Sequence, residues 1–275
     1  MRTLLAIPVY NEEKYVERVL SLVRAYASDI LVIDDGSTDR TPALLAQQPV
    51  AVIRHARNRG YGRSMHHAFR WASIDHFDWL ITMDCDEQHE PAAIPQFLDR
   101  IAAADADVIS GSRYLAPHAL DDRPPLDRRA INQTITAELN CRLNLHLTDA
   151  FCGFKAYRVS ALASLSLDID GYDFPMQFWV QAVAHRLRIV ELPIRLIYND
   201  PNRTFGGPLN DPRERIAHYR ATLHRELLRC ADLLPASALT GLTPVPQRAS
   251  IPGAECHTCG CPAHKSAAAD CCFDG

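Results

Sequence analysis

Short unbroken apolar runs alternate along this chain with stretches whose apolar residues recur at helical spacing. Thr3 to Val9 is a continuous apolar strand. Glu12-Glu13 then opens a helix with Tyr15, Val16, Val19, Leu20, Val23 and Tyr26 on its apolar positions. Ile30 to Ile33 reads as a second buried strand, and Thr38 or Asp39 caps a helix from Arg40 to about Gln47. Val50 to Arg54 is the third strand. A loop from His55 to Gly62 precedes a helix from Ser64 to Ala72 that buries Met65, Ala68 and Phe69. Trp79 to Met83 is the fourth strand, and a helix carrying Ile94, Phe97, Leu98 and Ile101 leads to the fifth, Val108 to Gly111. Strands apolar on both faces and alternating with helices predict an α/β fold with a mostly parallel central sheet and helices on both faces.

Pro117 to Pro125 predicts a proline-rich mobile loop, and Arg128 to about Leu145 a helix. Thr148 to Arg158 reads as a turn into a strand, Asp173 to His185 as a helix, and Ile189 to Tyr198 as the last strand. A long basic helix then runs from Asp211-Pro212 to near Leu234. It carries Ile216, Leu223, Leu227 and Leu234 on one stripe, with Arg213, Arg220, Arg225 and Arg229 mostly off it. Such a helix either lies on an anionic membrane surface or docks on the domain with a solvated basic face. Beyond Pro235 the composition shifts to Ala, Ser, Thr, Pro and Cys, so one domain is expected over 1–235 and a flexible Cys-rich tail over 236–275. Within that tail Cys256-x-x-Cys259-x-Cys261-x-x-His264 and Cys271-Cys272 also have the donors for a tetrahedral zinc site.

An apolar fraction of 47% over 275 residues supplies a sizeable core, and the formal charge of −4 gives no global attraction to nucleic acid. Lys14, Lys155 and Lys265 are the only lysines; the other cations are arginines, suited to bidentate contacts with phosphate unless they only reflect codon bias. No apolar run approaches the ~20 residues that span a bilayer. Leu4 to Val9 runs into Asn11-Glu12-Glu13-Lys14 without a cleavage site, and Cys85, Cys141, Cys152 and Cys230 are scattered as reduced thiols are. A cytoplasmic protein is expected, with peripheral contact at the inner membrane face as a further expectation.

Ligands of parallel sheets bind at the carboxyl ends of the strands, and the polar clusters of this chain fall there. Strand one delivers Pro8, Tyr10, Asn11 and Glu12; strand two Asp34 and Asp35; strand three His55, Asn58, Gly60 and Gly62; strand four Asp84, Asp86 and Gln88; strand five Arg113. Asp84 and Asp86 repel each other at the end of a buried run, a cost that a hard divalent cation between them would offset. Oxygen ligands favour Mg²⁺ or Mn²⁺ over zinc. A dinucleotide-binding site would need G-x-G-x-x-G after the first strand, where this chain has Pro8-Val9-Tyr10-Asn11-Glu12-Glu13. A nucleotide whose diphosphate is the leaving group suits the acidic edge better, with Asp35 accepting a base N–H and Tyr10 packing on the base.

Five ordered motifs carry a resemblance: Ile7-Pro8-Val9-Tyr10-Asn11-Glu12-Glu13; Val32 to Asp39; His55-x-x-Asn58-x-Gly60-x-Gly62; Asp84-x-Asp86-x-Gln88-His89; and Gly111-Ser112-Arg113-Tyr114. Over roughly residues 3 to 210 the chain resembles family 2 glycosyltransferases, nearest the dolichyl (polyprenyl) phosphate mannosyltransferase-like branch. The resemblance implies a GT-A fold, a nucleotide-sugar donor of GDP-mannose or UDP-glucose type, a divalent cation, and inversion. It places Pro8, Tyr10, Glu12, Ile33 and Asp35 at the nucleoside, and Asp84, Asp86 and Gln88 at the metal and diphosphate. Arg113 and Arg128 or Arg129 fall near the acceptor and Arg203 near the phosphates. Asp149-x-x-Cys152-Gly153-Phe154 is similar to the family's D-x-x-S-G-F segment, with cysteine for serine.

Two departures bear on the acceptor. Arg203 is followed by Thr204-Phe205-Gly206-Gly207-Pro208 where the lipid-phosphate branch often has glycine-serine-lysine, and Asp173 stands where a base for a hydroxyl acceptor would occur, or where a helix would be N-capped. The expectation leans to a lipid-phosphate acceptor, with Asp86, Arg113 and Asp173 as the residues nearest the chemistry. A hydroxyl acceptor is the alternative. A non-catalytic sugar-nucleotide sensor is the rival of another class, against which the intact Asp84, Asp86 and Gln88 argue.

Overall fold

The computed structural model describes residues 1–199 and 207–242, so Arg203 and the tail's cysteines lie outside the described residues. Seven strands form one sheet: β1 (Thr3–Val9), β2 (Ile30–Asp34), β3 (Ala51–Arg54), β4 (Trp79–Thr82), β5 (Val108–Ser112), β6 (Lys155–Arg158) and β7 (Ile189–Pro193). Their order is β3-β2-β1-β4-β6-β5-β7, parallel except for β6, which runs antiparallel to both neighbours. The helices are α1 (Val16–Val23), α2 (Thr41–Leu45), α3 (Tyr61–Ile74), α4 (Ile94–Ala102), α5 (Leu126–Leu143), α6 (Val159–Leu162), α7 (Phe174–Ala184) and α8 (Pro212–Arg229).

Two apolar clusters cover the two sheet faces, because alternate side chains of one strand point to opposite sides. Leu4, Ala6, Leu31 and Ile33 meet α3, α5 and α7 on one face; Leu5, Ile7, Val32 and Ile81 meet α1 and α4 on the other. The doubly buried strands are therefore the ones whose sequences are continuously apolar. Edge strand β3 is only half-buried.

Several boundaries depart from expectation for identifiable reasons. β7 ends at Pro193 instead of Tyr198, because the next residues bond the 121–122 loop: Leu196 and Tyr198 donate backbone N–H to Asp121 and Asp122, and Asp122 N–H reaches the Leu196 carbonyl. α3 begins at Tyr61, so Gly62 is helical and not a loop glycine. A Cβ on Gly62 would lie 2.1 Å from the Ile169 carbonyl oxygen, and Gly60 adopts φ 102° beside Asp170. These glycines admit the backbone crossing over them. The compact unit extends to Leu242, seven residues past the expected boundary at 235; Ala238 is fully buried and Arg142 bonds the carbonyls of Ala238 and Thr240.

The basic helix is docked. α8 buries Tyr219, Leu223 and Leu227, and several of its arginines are paired: Arg215 with Asp127, Arg220 with Glu138, Arg229 with Asp168 and Glu226. Its outer charge is thus partly neutralised within the domain. No helix among the described residues is long and apolar enough to cross a membrane.

Candidate active site

A cleft of about 850 Å³ opens along the carboxyl edge of the parallel strands. Pro8, Tyr10, Glu12, Asp35, Asp84, Asp86, Gln88 and Arg113 all line it, delivered by the ends of β1, β2, β4 and β5. Of the acceptor pair Arg128 and Arg129 only Arg128 lines it, and among the described residues expected at the nucleoside or the chemistry Ile33 and Asp173 are not on its wall. Ile33 is buried inside β2, and Asp173 sits between two lining residues, Tyr172 and Phe174, without lining the cleft itself.

Asp35 is buried and tightly oriented. Its Oδ1 meets His55 Nδ1 at 2.6 Å and accepts the Arg59 N–H at 2.8 Å, while Oδ2 accepts the Gly60 N–H at 2.8 Å. His55 Nε2 in turn faces His67 Nδ1 at 2.7 Å. The loop after β3 is therefore folded onto this carboxylate. Asn11, in a left-handed conformation at φ 56°, accepts the Thr38 N–H and ties the loop after β1 to the loop after β2.

The acidic loop after β4 is less exposed than its sequence suggests. Asp86 is 7% exposed and its Oδ1 accepts the Gln88 N–H at 3.0 Å. Asp84 lies against Gly153, where a Cβ would come within 2.6 Å of the carboxylate, so this position of the D-x-x-C-G-F segment leaves room for the Asp84 side chain. His89, buried behind the loop, accepts the Asp84 N–H on Nδ1, a bond only the neutral ring makes. Burial also favours the neutral ring, but Asp84, Cys152 and Asp86 pull the other way and lift its pKa to about 9. A cation on the two carboxylates would cancel their part of that pull.

Among the described residues no three His, Cys, Asp or Glu side chains converge as a metal cage. Two carboxylates with an amide nonetheless fit Mg²⁺ or Mn²⁺, since such cations are held by one or two carboxylates together with substrate phosphates. The hard oxygen donors, the His89 balance and the cleft position are consistent with that set.

Arg113 pairs with a buried carboxylate and not a surface one. Nε and Nη2 contact the two Asp149 oxygens at 2.6 and 2.9 Å, a bidentate pair spanning 36 residues of chain. Asp149 is fully buried and also accepts Asn132 Nδ2 at 2.7 Å. Burial raises its pKa, but the Arg113 charge and these bonds outweigh it and hold the carboxyl far below its usual range. Arg128, lining the cleft, lies over the Tyr198 ring at 5.4 Å; Arg129 lies over Tyr114 at 3.5 Å.

Asp173 holds the N-cap position of α7 but makes no side-chain cap bond. Its Oδ2 accepts the Thr222 hydroxyl at 2.6 Å and its Oδ1 meets His218 Nε2 at 3.3 Å, both on α8. Sequence reasoning gives no role to Lys155, Asn132 and Arg215, all of which line the cleft. Lys155 is buried, bonds the Cys152 carbonyl and is pushed below its ordinary pKa by burial. Its signal is its rarity: a lysine where nearly every cation is arginine, closing the D-x-x-C-G-F segment.

The comparisons with known proteins agree with this geometry. The family model described as Glycosyl transferase family 2 matches residues 5–166, more than half of the chain. An undecaprenyl-phosphate mannosyltransferase of Micrococcus luteus is 33% identical over 241 residues, covering 83% of this chain and 98% of that protein. A polyprenol monophosphomannose synthase of Mycolicibacterium smegmatis is 30% identical over 204 residues, 70% of this chain and 76% of that one. Among solved structures, glucosyl-3-phosphoglycerate synthase from Mycobacterium tuberculosis, in complex with Mn²⁺, UDP-glucose and phosphoglyceric acid, superposes with a TM-score of 0.61. It is 19% identical and covers 85% of this chain and 80% of its own, which shows the shared GT-A fold. With the motif residues gathered on one cleft and relatives matched over most of their length, the chain belongs to glycosyl transferase family 2.

Proposed function

We propose that this glycosyltransferase moves a sugar, with inversion, from a nucleotide-diphosphate donor of GDP-mannose or UDP-glucose type to a polyprenyl phosphate. One observation carries the choice of acceptor. The carboxylate expected to serve as a base, Asp173, is taken up by Thr222 and His218, while Arg113 and Arg128 line the cleft. A phosphate monoester is already anionic at pH 7 and attacks unaided; a hydroxyl needs a base. The relatives' names, an undecaprenyl-phosphate mannosyltransferase and a polyprenol monophosphomannose synthase, point the same way.

In this reading Pro8, Tyr10 and Glu12 frame the nucleoside, and Asp35, oriented by His55 and the Arg59 and Gly60 amides, accepts a base N–H. Asp84, Asp86 and Gln88 would hold Mg²⁺ or Mn²⁺, which when bound supplies Lewis-acid neutralisation of the leaving diphosphate. Arg113, stiffened by Asp149, and Arg128 hold the acceptor phosphate in line with the anomeric carbon. An acceptor oxygen attacks from the face opposite the diphosphate, the anomeric C–O bond breaks, and its electron pair leaves with the nucleoside diphosphate. No proton leaves the acceptor. Arg203, which the resemblance sets near the phosphates, is assigned to the donor diphosphate.

The test is transfer of labelled sugar to a polyprenyl phosphate by the full chain, wild type against Asp173→Asn. Turnover of the variant is expected within about threefold of wild type, because no base is required. A loss of about 10²-fold to 10⁴-fold with unchanged donor affinity would instead make Asp173 the base for a hydroxyl acceptor.

A further inference from the structure

Two histidines stand behind the carboxylate assigned to the base. His55, directly after β3, is buried and closes on Asp35 Oδ1 through Nδ1 at 2.6 Å. Its other nitrogen, Nε2, lies 2.7 Å from His67 Nδ1 on α3, and the two rings meet edge to face with centroids 4.7 Å apart. Neither ring lines the cleft. His67 is half-buried and reaches the site only through His55.

The protons of this chain are set from both ends. A carboxylate only accepts, so the Asp35 contact requires a proton on His55 Nδ1, and a neutral His55 then has only a lone pair on Nε2. Two facing nitrogens at 2.7 Å share one proton, which His67 Nδ1 supplies. His67 is suited to this as a neutral ring, since burial lowers its pKa and His55, Arg63, Arg59 and Arg70 lower it further. Without that donor His55 is free to carry its proton on Nε2. The lone pair left on Nδ1 would then face the Asp35 carboxylate and repel it.

The consequence lies in how Asp35 is aimed. A carboxylate offers about four acceptor positions. Oδ1 is used by His55 and the Arg59 N–H, and Oδ2 by the Gly60 N–H, so the oxygen not held by the imidazole is the one left for a further N–H. Recognition through one such bond is only as directional as the carboxylate is rigid.

We propose that His67 is a positioning residue for donor recognition: its Nδ1–H holds His55 in the form protonated on Nδ1, and His55 holds Asp35 with Oδ2 turned to the base. This rests on the reading of Asp35 as the acceptor of a base N–H.

The experiment compares wild type with His67→Leu, His67→Asn and Asp35→Asn, using GDP and UDP with Mn²⁺ as calorimetric probes. Affinity for whichever diphosphate wild type binds more tightly should fall about tenfold in His67→Leu. It should return to within about threefold of wild type in His67→Asn, whose amide N–H stands as close to Cβ as Nδ1–H does. Nitrogen NMR of the histidines should show His55 protonated on Nδ1 alone in wild type and His67→Asn, with the Nε2-protonated form appearing in His67→Leu. A wild-type His55 protonated on Nε2 overturns the proposal. So does unchanged affinity in His67→Leu where Asp35→Asn weakens binding, or a His67→Asn that binds no better than His67→Leu. Wild-type affinity in Asp35→Asn overturns the assignment of Asp35 to the base instead.

Discussion

Asp86→Asn should lower sugar transfer by about 10³-fold or more while leaving the fold intact. The side chain is nearly isosteric, and Oδ1 can still accept the Gln88 N–H, so no core volume is lost. What disappears is one of the two carboxylate charges, Asp84 and Asp86, proposed to hold the cation. Lewis-acid stabilisation of a leaving diphosphate is worth several kcal/mol, and roughly 4 kcal/mol corresponds to that thousandfold. The variant should melt as wild type does but lose the extra donor-induced thermal shift that Mn²⁺ is expected to confer on the wild type. Retained turnover with an unchanged Mn²⁺ dependence would remove this loop from the metal site. Donor binding without turnover in the wild type, whatever the acceptor, would favour the sensor alternative.

That this loop could be found at all follows from how the fold writes itself into the chain. β1, β2 and β4 are covered on both faces, so their sequences are unbroken apolar runs, and the polar residues closing each run must fall on one edge. Local contrast of that kind is legible without a structure. Pairings across the chain are not. Nothing in the spacing of Arg113 and Asp149 announces their bidentate contact, and nothing around Arg215, Arg220 or Arg229 announces Asp127, Glu138 and Asp168. The sequence of the basic helix therefore leaves a membrane face open beside the commoner docked reading. Gly60 and Gly62 mislead for a similar reason, since a glycine that opens space for a distant backbone looks like one that opens a loop. Asp173 has the context of an N-cap, but its carboxylate turns to α8, which lies far along the sequence.

The Arg113–Asp149 pair also gives a test that separates holding the fold from holding the acceptor. Arg113→Met removes the guanidinium and leaves the Asp149 carboxylate fully buried with only neutral hydrogen-bond donors from this set, the Asn132 amide and the backbone N–H groups of Phe151 and residue 113. Stranding a buried charge in this way costs about 3–5 kcal/mol. At roughly 2–4 °C per kcal/mol for a domain of this size, Tm should fall by about 6–20 °C. Adding Asp149→Asn removes the stranded charge, and replacing both members of a buried pair is often close to neutral, so the double variant should recover most of that Tm. It should not recover transfer, because no guanidinium remains at this position to hold the acceptor phosphate. The KM for polyprenyl phosphate should stay raised while donor affinity returns to wild type, since Asp35 and the β4 loop are untouched. Recovery of transfer along with stability would instead show that Arg113 supports the fold alone, leaving Arg128 to meet the acceptor.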